Sequence, residues 1–354
     1  MSGVMEYKCP CCGGYLEFNA TSQNIKCPYC ETEFDISQFA DETAKAGTQN
    51  TQENGWQEDE LKGMYVYECK SCSGEIIGDE TLGATRCPYC GNSVVMKEQF
   101  SGDLRPDLII PFSKTKEEAI QNLESHVKRS IFAPEEYRSR DSLEEIRGVY
   151  VPFWLYDTDA NFDMNFMTRV MGRRWREGDY ICQEYKDFHI HKAGTVDFHD
   201  VPVDASSKMA DDLMDSLEPF DLSAAVPFNP VYMAGYAADR YDVDQVQNEG
   251  RLDERIKTFV DHDVRNDLRD YATVQYVGGH VNVGRKKAKY VLLPIWVLSS
   301  TWNGEIYTYA MNGQTGKVSG RIPKDPARVR KYWLKYIVIF SIIAYILTLF
   351  VFLI

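Results

Sequence analysis

Cysteine spacing constrains the fold of this chain more than any other feature of its sequence. Eight of the ten cysteines form two copies of one pattern, in which two Cys-x2-Cys pairs are separated by fourteen residues. The first copy comprises Cys9, Cys12, Cys27 and Cys30, and the second comprises Cys69, Cys72, Cys87 and Cys90. Four thiolates delivered as two close pairs suit a tetrahedral Zn²⁺ ion. We therefore predict two zinc ribbons, each holding one structural ion.

Two other interpretations of the repeated cysteines are weaker. A disulfide framework requires an oxidising compartment, and residues 1–8 contain no apolar signal-peptide region. A thioredoxin-like redox motif is normally single and lies in a βαβ unit, whereas here two quartets match in spacing. Because four thiolates leave zinc no open position for a substrate, both sites are predicted to be structural.

Two further cysteines lie outside the repeated pattern. Cys11 lies inside the first Cys-x2-Cys pair, and this extra thiol alone motivates a third hypothesis, a zinc- or redox-responsive sensor. Cys182 is predicted to be an inert strand cysteine, because no nearby residue marks it as activated.

The C-terminal segment predicts a membrane anchor. Residues 336–354 are uncharged and nearly all apolar, and nineteen helical residues span about 28 Å, close to the hydrocarbon thickness of a bilayer. Residues 317–335 contain seven Lys and Arg but a single acidic residue, Asp325, which places the preceding chain in the cytoplasm. A buried core helix is the alternative, but a segment apolar on every face has nothing here to cover it. We expect a single-pass protein of the cell membrane.

Charge bears on the kind of partner. The formal net charge is −14, and the first hundred residues carry seven Lys and Arg against sixteen Asp and Glu. Nucleic-acid binding depends on clustered basic residues that neutralise phosphates, so an acidic ribbon region opposes it. Zinc ribbons also serve as protein-docking modules, and the charge favours that use.

The fold class predicted from these patterns is α+β. It comprises two small β zinc ribbons, a mixed antiparallel-sheet domain and one C-terminal transmembrane helix. The boundaries are zinc ribbon 1 over 5–36, a flexible acidic linker over 37–63, zinc ribbon 2 over 64–97, an α+β domain over 104–322 and the transmembrane helix over 333–354. The middle domain has a faint internal echo, a Pro-x-Trp inside an apolar strand at two places, which suggests two related halves.

Local signals predict several elements of the middle domain. Thr115 and Glu118 form a capping box that starts a helix. Its apolar face is predicted to comprise Ile120, Leu123, Val127 and Ile131. Helices are also predicted over 206–217 and over 252–271, the latter with Phe259 on its buried face. Alternating polar and apolar residues predict hairpins over 160–200, and a further strand is predicted over 273–283.

Candidate chemistry in the middle domain is sparse. On a strand, His189 and His191 face the same side and His199 follows, but no third metal ligand is convincingly placed, so exposed strand histidines are the preferred interpretation. A basic hairpin tip could contact lipid headgroups or an acidic partner, although such tips are more often only solvated. This tip comprises Arg169, Arg173, Arg174 and Arg176 with Trp175. No nucleophile–base pair or cofactor fingerprint is present, so the sequence gives no reason to predict an enzyme.

The middle domain contains five distinctive motifs, Gly148–Asp157, Val201–Ser206, Leu213–Phe220, Ala234–Asp239 and Met311–Lys317. Taken with the two cysteine quartets, these motifs resemble a bacterial family of TFIIB-type zinc-ribbon-containing membrane proteins. Some members carry labels borrowed from a primosomal replication helicase, but this sequence has no nucleotide-binding loop. The resemblance implies association with SPFH/flotillin-like proteins or phage-shock-type membrane stress factors. The sequence departs from the pattern at Glu31, where the second quartet has Gly91.

Two functions are therefore predicted from different classes. The first is a membrane-anchored cytoplasmic zinc-ribbon adaptor that docks soluble partner proteins, in a role connected with membrane stress. The alternative is a nucleic-acid-associated zinc-ribbon protein of replication or transcription, which requires salt-sensitive binding to DNA or RNA. The acidic charge and the membrane anchor both oppose the alternative.

Overall fold

A computed structural model describes residues 8–39, 64–78, 87–90, 92, 94–99, 104–135, 137 and 143–353. Most of the predicted acidic linker, residues 40–63, lies outside the described residues. The chain divides into two compact units. Unit 1 comprises Met1–Val151, Ser207–Arg240 and Leu292–Ile354, and unit 2 comprises Pro152–Ser206 and Tyr241–Val291.

The fold is mixed α+β, as predicted, and includes a large sheet. The strands, in chain order, are β1 (Glu17–Asn19), β2 (Asn24–Lys26), β3 (Glu33–Phe34), β4 (Tyr65–Cys69), β5 (Glu75–Gly78), β6 (Val94–Gln99), β7 (Leu108–Ile109), β8 (Arg147–Glu177), β9 (Tyr180–Asp204), β10 (Val226–Pro227), β11 (Ala237–Asp239), β12 (Thr273–Val283), β13 (Lys287–Trp302), β14 (Glu305–Asn312) and β15 (Val318–Gly320). The helices are α1 (Lys116–Arg129), α2 (Asp211–Leu217), α3 (Glu249–Asp267) and α4 (Pro326–Leu353).

The first cysteine segment forms its own small sheet in unit 1. Strands β1, β2 and β3 are antiparallel, and Phe18 of β1 pairs with Ile25 of β2. The amide of Phe18 donates to the carbonyl of Ala234 over 3.0 Å, and its ring meets Tyr232 edge-on at 5.4 Å. A buried aromatic ring and a main-chain hydrogen bond thus attach this sheet to the rest of unit 1.

The second cysteine segment belongs to the large sheet. The strand order is β10-β7-β13-β8-β11-β5-β4-β6, with β14 beside β13 and β15 beside β14. Strand β11 pairs in parallel with β8 and antiparallel with β5, where Ala238 lies opposite Ile77. Next to this pairing of β11 with β5, Arg240 forms an ion pair with Glu75 at 2.9 Å. The sheet is therefore mixed, and the second cysteine segment forms part of it.

Helix α1 begins at the predicted capping box. The Thr115 side chain accepts from the Glu118 amide and the Glu118 carboxylate accepts from the Thr115 amide, which confirms the predicted start. Ala119, Ile120, Leu123 and Val127 are buried. Ile131 lies beyond the C-cap at Ser130 and is 54% exposed, so its predicted place on the apolar face is wrong.

Unit 2 contains a long antiparallel hairpin, made by β8 and β9, with β12 paired to the other edge of β8. The predicted strand over 273–283 is confirmed by β12. In helix α3 the buried residues are Leu252, Ile256, Val260 and Val264. Phe259 is 54% exposed, so its prediction as a core residue is wrong, although its ring contacts Phe198 at 5.5 Å. Helix α2 begins at Asp211, five residues after the predicted start at 206.

The C-terminal helix, α4, begins earlier than the predicted residue 333. Asp325 accepts a hydrogen bond from the Ala327 amide over 2.8 Å, and Pro326 follows it at the first helical position. The segment Pro326–Thr348 has a mean hydropathy of 1.4, and none of its most apolar window is buried by protein. This helix is long and apolar enough to cross a membrane.

Candidate metal centres

The first candidate metal centre is built by two tight turns of the β1–β3 segment. Cys9 donates its amide to the carbonyl of Gly14 over 2.7 Å, and Cys27 donates in the same way to Thr32 over 3.0 Å. The Sγ atoms of Cys9 and Cys30 are 3.5 Å apart, and those of Cys12 and Cys27 are 3.4 Å apart. All four sulfur atoms lie within 4.8 Å of one another.

The second candidate centre repeats this geometry at the ends of β4 and β6. Cys69 donates its amide to Gly74 over 2.9 Å, and Cys87 donates to Asn92 over 2.6 Å. The Sγ atoms of Cys69 and Cys90 are 3.4 Å apart, and those of Cys72 and Cys87 are 3.6 Å apart. The structure therefore brings together all eight predicted ligands, in the predicted sets of four.

The donor sets fit a tetrahedral thiophilic ion. A Zn–S bond of about 2.3 Å in tetrahedral geometry separates two sulfur ligands by about 3.8 Å. The paired sulfur distances of 3.4 to 3.6 Å are close to that value. Because all four donors of each set are thiols, a bound ion would have no position left for a substrate.

Two residues that are not cysteines, Thr32 and Asn92, lower the pKa of a ligand thiol, and the sequence did not predict them. The Thr32 hydroxyl lies 3.2 Å from Cys30 Sγ, and its side-chain and backbone hydrogen bonds lower the pKa of Cys30 to about 6. Burial raises the pKa of Cys90, but the backbone and side-chain N–H groups of Asn92 outweigh it and lower the value to about 7. Both residues occupy the second position after the last cysteine of their set, a shared offset that could have identified them.

The pKa values of three ligand thiols, Cys12, Cys72 and Cys87, are raised above the ordinary cysteine value. Burial is the largest cause that raises the pKa of Cys72 and of Cys87. For Cys12 the Gly14 amide lowers the pKa, but the Cys27 sulfur and burial together raise it to about 12. A dication would supply the charge that four neighbouring thiolates need, so metal binding here releases protons.

The residue after a Cys-x2-Cys turn adopts a left-handed conformation at each of the three turns where the structure describes it. The φ angles are +75° at Gly13, +60° at Glu31 and +53° at Ser73. Only the first of these is a glycine, and a side chain in this region costs about 1 kcal/mol or more. Glu31, which lies where the second set has Gly91, is therefore a strained position that leaves the ligands in place.

We expect Glu31→Gly to raise the free energy of unfolding of the metal-loaded protein by about 1 kcal/mol, because glycine adopts this φ without strain. Denaturant titration of the full-length protein in detergent measures the effect. Glu33→Gly is the matched control, since Glu33 lies in β3 and glycine weakens a strand. A variant at position 31 no more stable than the control would contradict this account.

The two centres differ in their exposure. Both second turns read Cys-Pro-Tyr-Cys, yet the Tyr29 side chain is 72% exposed and the equivalent Tyr89 is 7% exposed. The second centre is also attached to β13, where the Ser299 hydroxyl donates to the carbonyl of Pro88 over 2.8 Å. The first centre thus presents its second turn to solvent, whereas the second centre is integrated in the large sheet.

The histidines form no third site among the residues that the structure describes. His191 Nε2 lies 3.0 Å from an Asp163 oxygen, and His199 Nδ1 lies 3.8 Å from an Asp157 oxygen. His189 belongs to neither cysteine set, and no group of three metal-type donors includes it. Cys11 is exposed, and Cys182 lies half-buried on β9 opposite Trp175.

The basic residues of the hairpin tip are solvated and partly paired. Arg169 forms a bidentate ion pair with Asp187, at 2.6 and 2.9 Å, and its guanidinium lies 5.0 Å from the Tyr185 ring. The paired carboxylate hydrogen-bonds this guanidinium and raises its pKa. Arg176 donates to the carbonyl of Gly178. Arg169 and Arg176 thus have hydrogen-bond partners within the hairpin itself.

Comparison with known proteins identifies a relative along almost the whole chain. The chain is 32% identical over 331 residues to the uncharacterized protein YdjG of Bacillus subtilis (strain 168), and the match covers 93% of each sequence. The chain belongs to the YdjG family. No family model and no solved structure matches the chain. The relationship to YdjG extends over almost the whole chain, but it assigns no activity.

Proposed function

We propose that this YdjG-family protein is a single-pass membrane adaptor, which binds two structural zinc ions and docks soluble partner proteins at the cytoplasmic face of the membrane. The observation that carries the proposal is helix α4, whose most apolar window is not buried by any part of the protein. A helix apolar on all faces requires a surrounding such as lipid. The proposal includes the identification as a TFIIB-type zinc-ribbon membrane protein.

Zinc is the metal that best suits the two cysteine sets. Thiolate ligands select zinc, copper(I) or iron–sulfur clusters, and four thiolates in a tetrahedral arrangement at the ends of short hairpins are typical of structural zinc. The observed sulfur separations support this choice, because they leave room for a single ion. In this account zinc stabilises the fold and takes part in no reaction.

Charge next to α4 supports a cytoplasmic location for both units. Arg328, Arg330, Lys331 and Lys335 occupy the first turns of the helix. An excess of Lys and Arg beside a membrane span marks the cytoplasmic side. Tyr332 and Trp333 are exposed at the same level, where aromatic side chains favour the membrane–water interface.

The exposed turns of the first cysteine set are the proposed docking surface. Tyr29 has the properties of an interface anchor, since it is a large, exposed aromatic residue with a polar tip on a turn fixed by two cysteines. Glu31 and Glu33 follow it and are exposed, so the surface favours a partner with basic residues. SPFH/flotillin-like and phage-shock-type proteins, which the resemblance implies, are the candidates to examine first.

Affinity capture from nuclease-treated, detergent-solubilised membranes tests the adaptor. We expect specific proteins to co-purify with the full-length chain, and Tyr29→Ala to reduce their recovery at least about tenfold, as for an interface hot spot. Tyr180→Ala is the matched control, because Tyr180 is 78% exposed but lies at the hairpin tip of unit 2. Equal recovery with both variants would refute docking at this surface. Recovery of DNA or RNA without any protein partner would replace the adaptor with the nucleic-acid function.

A further inference from the structure

A cleft of about 510 Å³ lies in unit 1 beside the first turns of α4. One wall is the segment 131–135, which follows α1, and the other wall is the helix face that carries Arg328, Lys331 and Lys335. These three residues share one face, because positions three and four apart are neighbours on a helix. The cleft therefore combines a basic helix face with a loop at the base of the proposed membrane span.

Three contacts hold the two walls together. The Asp325 amide donates to the carbonyl of Phe132 over 2.9 Å, and the Phe132 ring meets the Tyr332 ring edge-on at 5.2 Å. Arg328 forms an ion pair with Glu135. Hydrogen bonding, aromatic packing and an ion pair therefore define the shape of the cleft before any ligand binds.

The charges in the cleft are incompletely neutralised. Arg328 faces two carboxylates, those of Glu135 and Asp325. Lys331 and Lys335 line the same cleft, are exposed, and form no ion pair with the residues that the structure describes. Two ammonium groups thus remain available to an anion, in a protein whose net charge of −14 opposes anionic surfaces elsewhere.

The position of the cleft selects the anion. Lys335 immediately precedes the uncharged run that begins at Tyr336, and Lys331 lies one helical turn, about 6 Å, further from it. At that depth the lysines reach the phosphate level of a bilayer. Ile131, which also lines the cleft, is 54% exposed although it is apolar. Beside a membrane it would contact glycerol and the upper acyl chains, which explains its exposure.

We propose that this cleft binds the phosphodiester headgroup of an anionic phospholipid, with Lys331 and Lys335 as its phosphate ligands and with Ile131 and Tyr332 against the apolar part of the lipid. The inference rests on the proposed insertion of α4 and adds a lipid preference to it. A zwitterionic headgroup fits less well, because its own cation would lie beside two unpaired ammonium groups.

Lipid retention by the full-length protein tests the site. The protein is inserted into nanodiscs of phosphatidylcholine with or without phosphatidylglycerol, then released into mild detergent, and the lipids that remain bound are counted by native mass spectrometry. We expect preferential retention of phosphatidylglycerol, and Lys331→Gln with Lys335→Gln to weaken it about 25-fold. Lys324→Gln with Arg330→Gln removes the same charge outside the cleft and should retain most of the preference.

The outcomes separate the lipid site from the anchor. If both double variants insert and retain phosphatidylglycerol equally, the cleft is not a lipid site, although the anchor stands. If millimolar inorganic phosphate displaces the lipid, the site binds free phosphate and the inference is wrong. If the unaltered protein fails to insert into nanodiscs of either composition, the proposed membrane function fails first. Equal thermal stability of both variants in phosphatidylcholine discs verifies that they fold.

Discussion

Replacing Cys69 with serine is expected to remove one of two zinc ions per chain and to lower the free energy of unfolding of unit 1 by more than about 3 kcal/mol. Structural zinc contributes on the order of 10 kcal/mol of binding free energy, which is available only to the folded state. Cys69 ends β4, which pairs with both β5 and β6, and β5 in turn pairs with β11. Loss of the ion should therefore destabilise the large sheet.

The first cysteine set should respond differently to the same substitution. Cys27→Ser should also remove one zinc ion, but the separate β1–β3 sheet should unfold with less effect on the rest of unit 1. Elemental analysis gives the zinc content, and hydrogen exchange shows which strands lose protection. Cys11→Ser and Cys182→Ser are the controls, since neither residue belongs to a cysteine set. A Cys69→Ser protein with two zinc ions, or with an unchanged sheet, would contradict the assignment.

Ending the chain at Lys335 is expected to move the protein from the membrane fraction to the soluble fraction almost completely. Residues 336–354 are the uncharged part of the proposed membrane span, and the most apolar window within Pro326–Thr348 is not buried by protein. Cell fractionation with carbonate extraction measures the change.

The control for this truncation is a chain in which an unrelated apolar segment of nineteen residues replaces 336–354. We expect that chain to remain in the membrane fraction, because length and hydropathy determine insertion. If the truncated chain stays in carbonate-extracted membranes, another part of the protein holds it there and α4 is not the anchor.

Short-range signals predicted the elements that short-range chemistry determines. The capping box at Thr115 starts α1, and the strand predicted over 273–283 has the bounds of β12. Both cysteine quartets converge as their spacing requires. For the helix cap and the cysteine turns, the decisive hydrogen bonds join residues that are close in sequence, so a local sequence pattern is sufficient to predict them.

The exposure of a side chain often depends on residues that are distant in sequence, and sequence predictions of burial are less successful for that reason. Tyr29 and Tyr89 occupy the same motif, and only long-range packing, such as that of β13 against the second turn, separates their environments. Phe259 borders the buried stripe of α3 and is exposed, because the stripe itself is narrow, with members four residues apart. Ile131 lies beyond the last residue of α1, so the helical periodicity that predicted its burial no longer applies to it.

The location of the partner proteins tests the central claim most directly. In cells that produce either the full-length chain or the chain ending at Lys335, the membrane-bound fraction of each captured partner is measured after nuclease treatment. If the protein is a membrane adaptor, the partners should leave the membrane together with the truncated chain and should remain associated with it in the soluble fraction. Partners that stay on the membrane to the same extent in both cells would contradict the adaptor function.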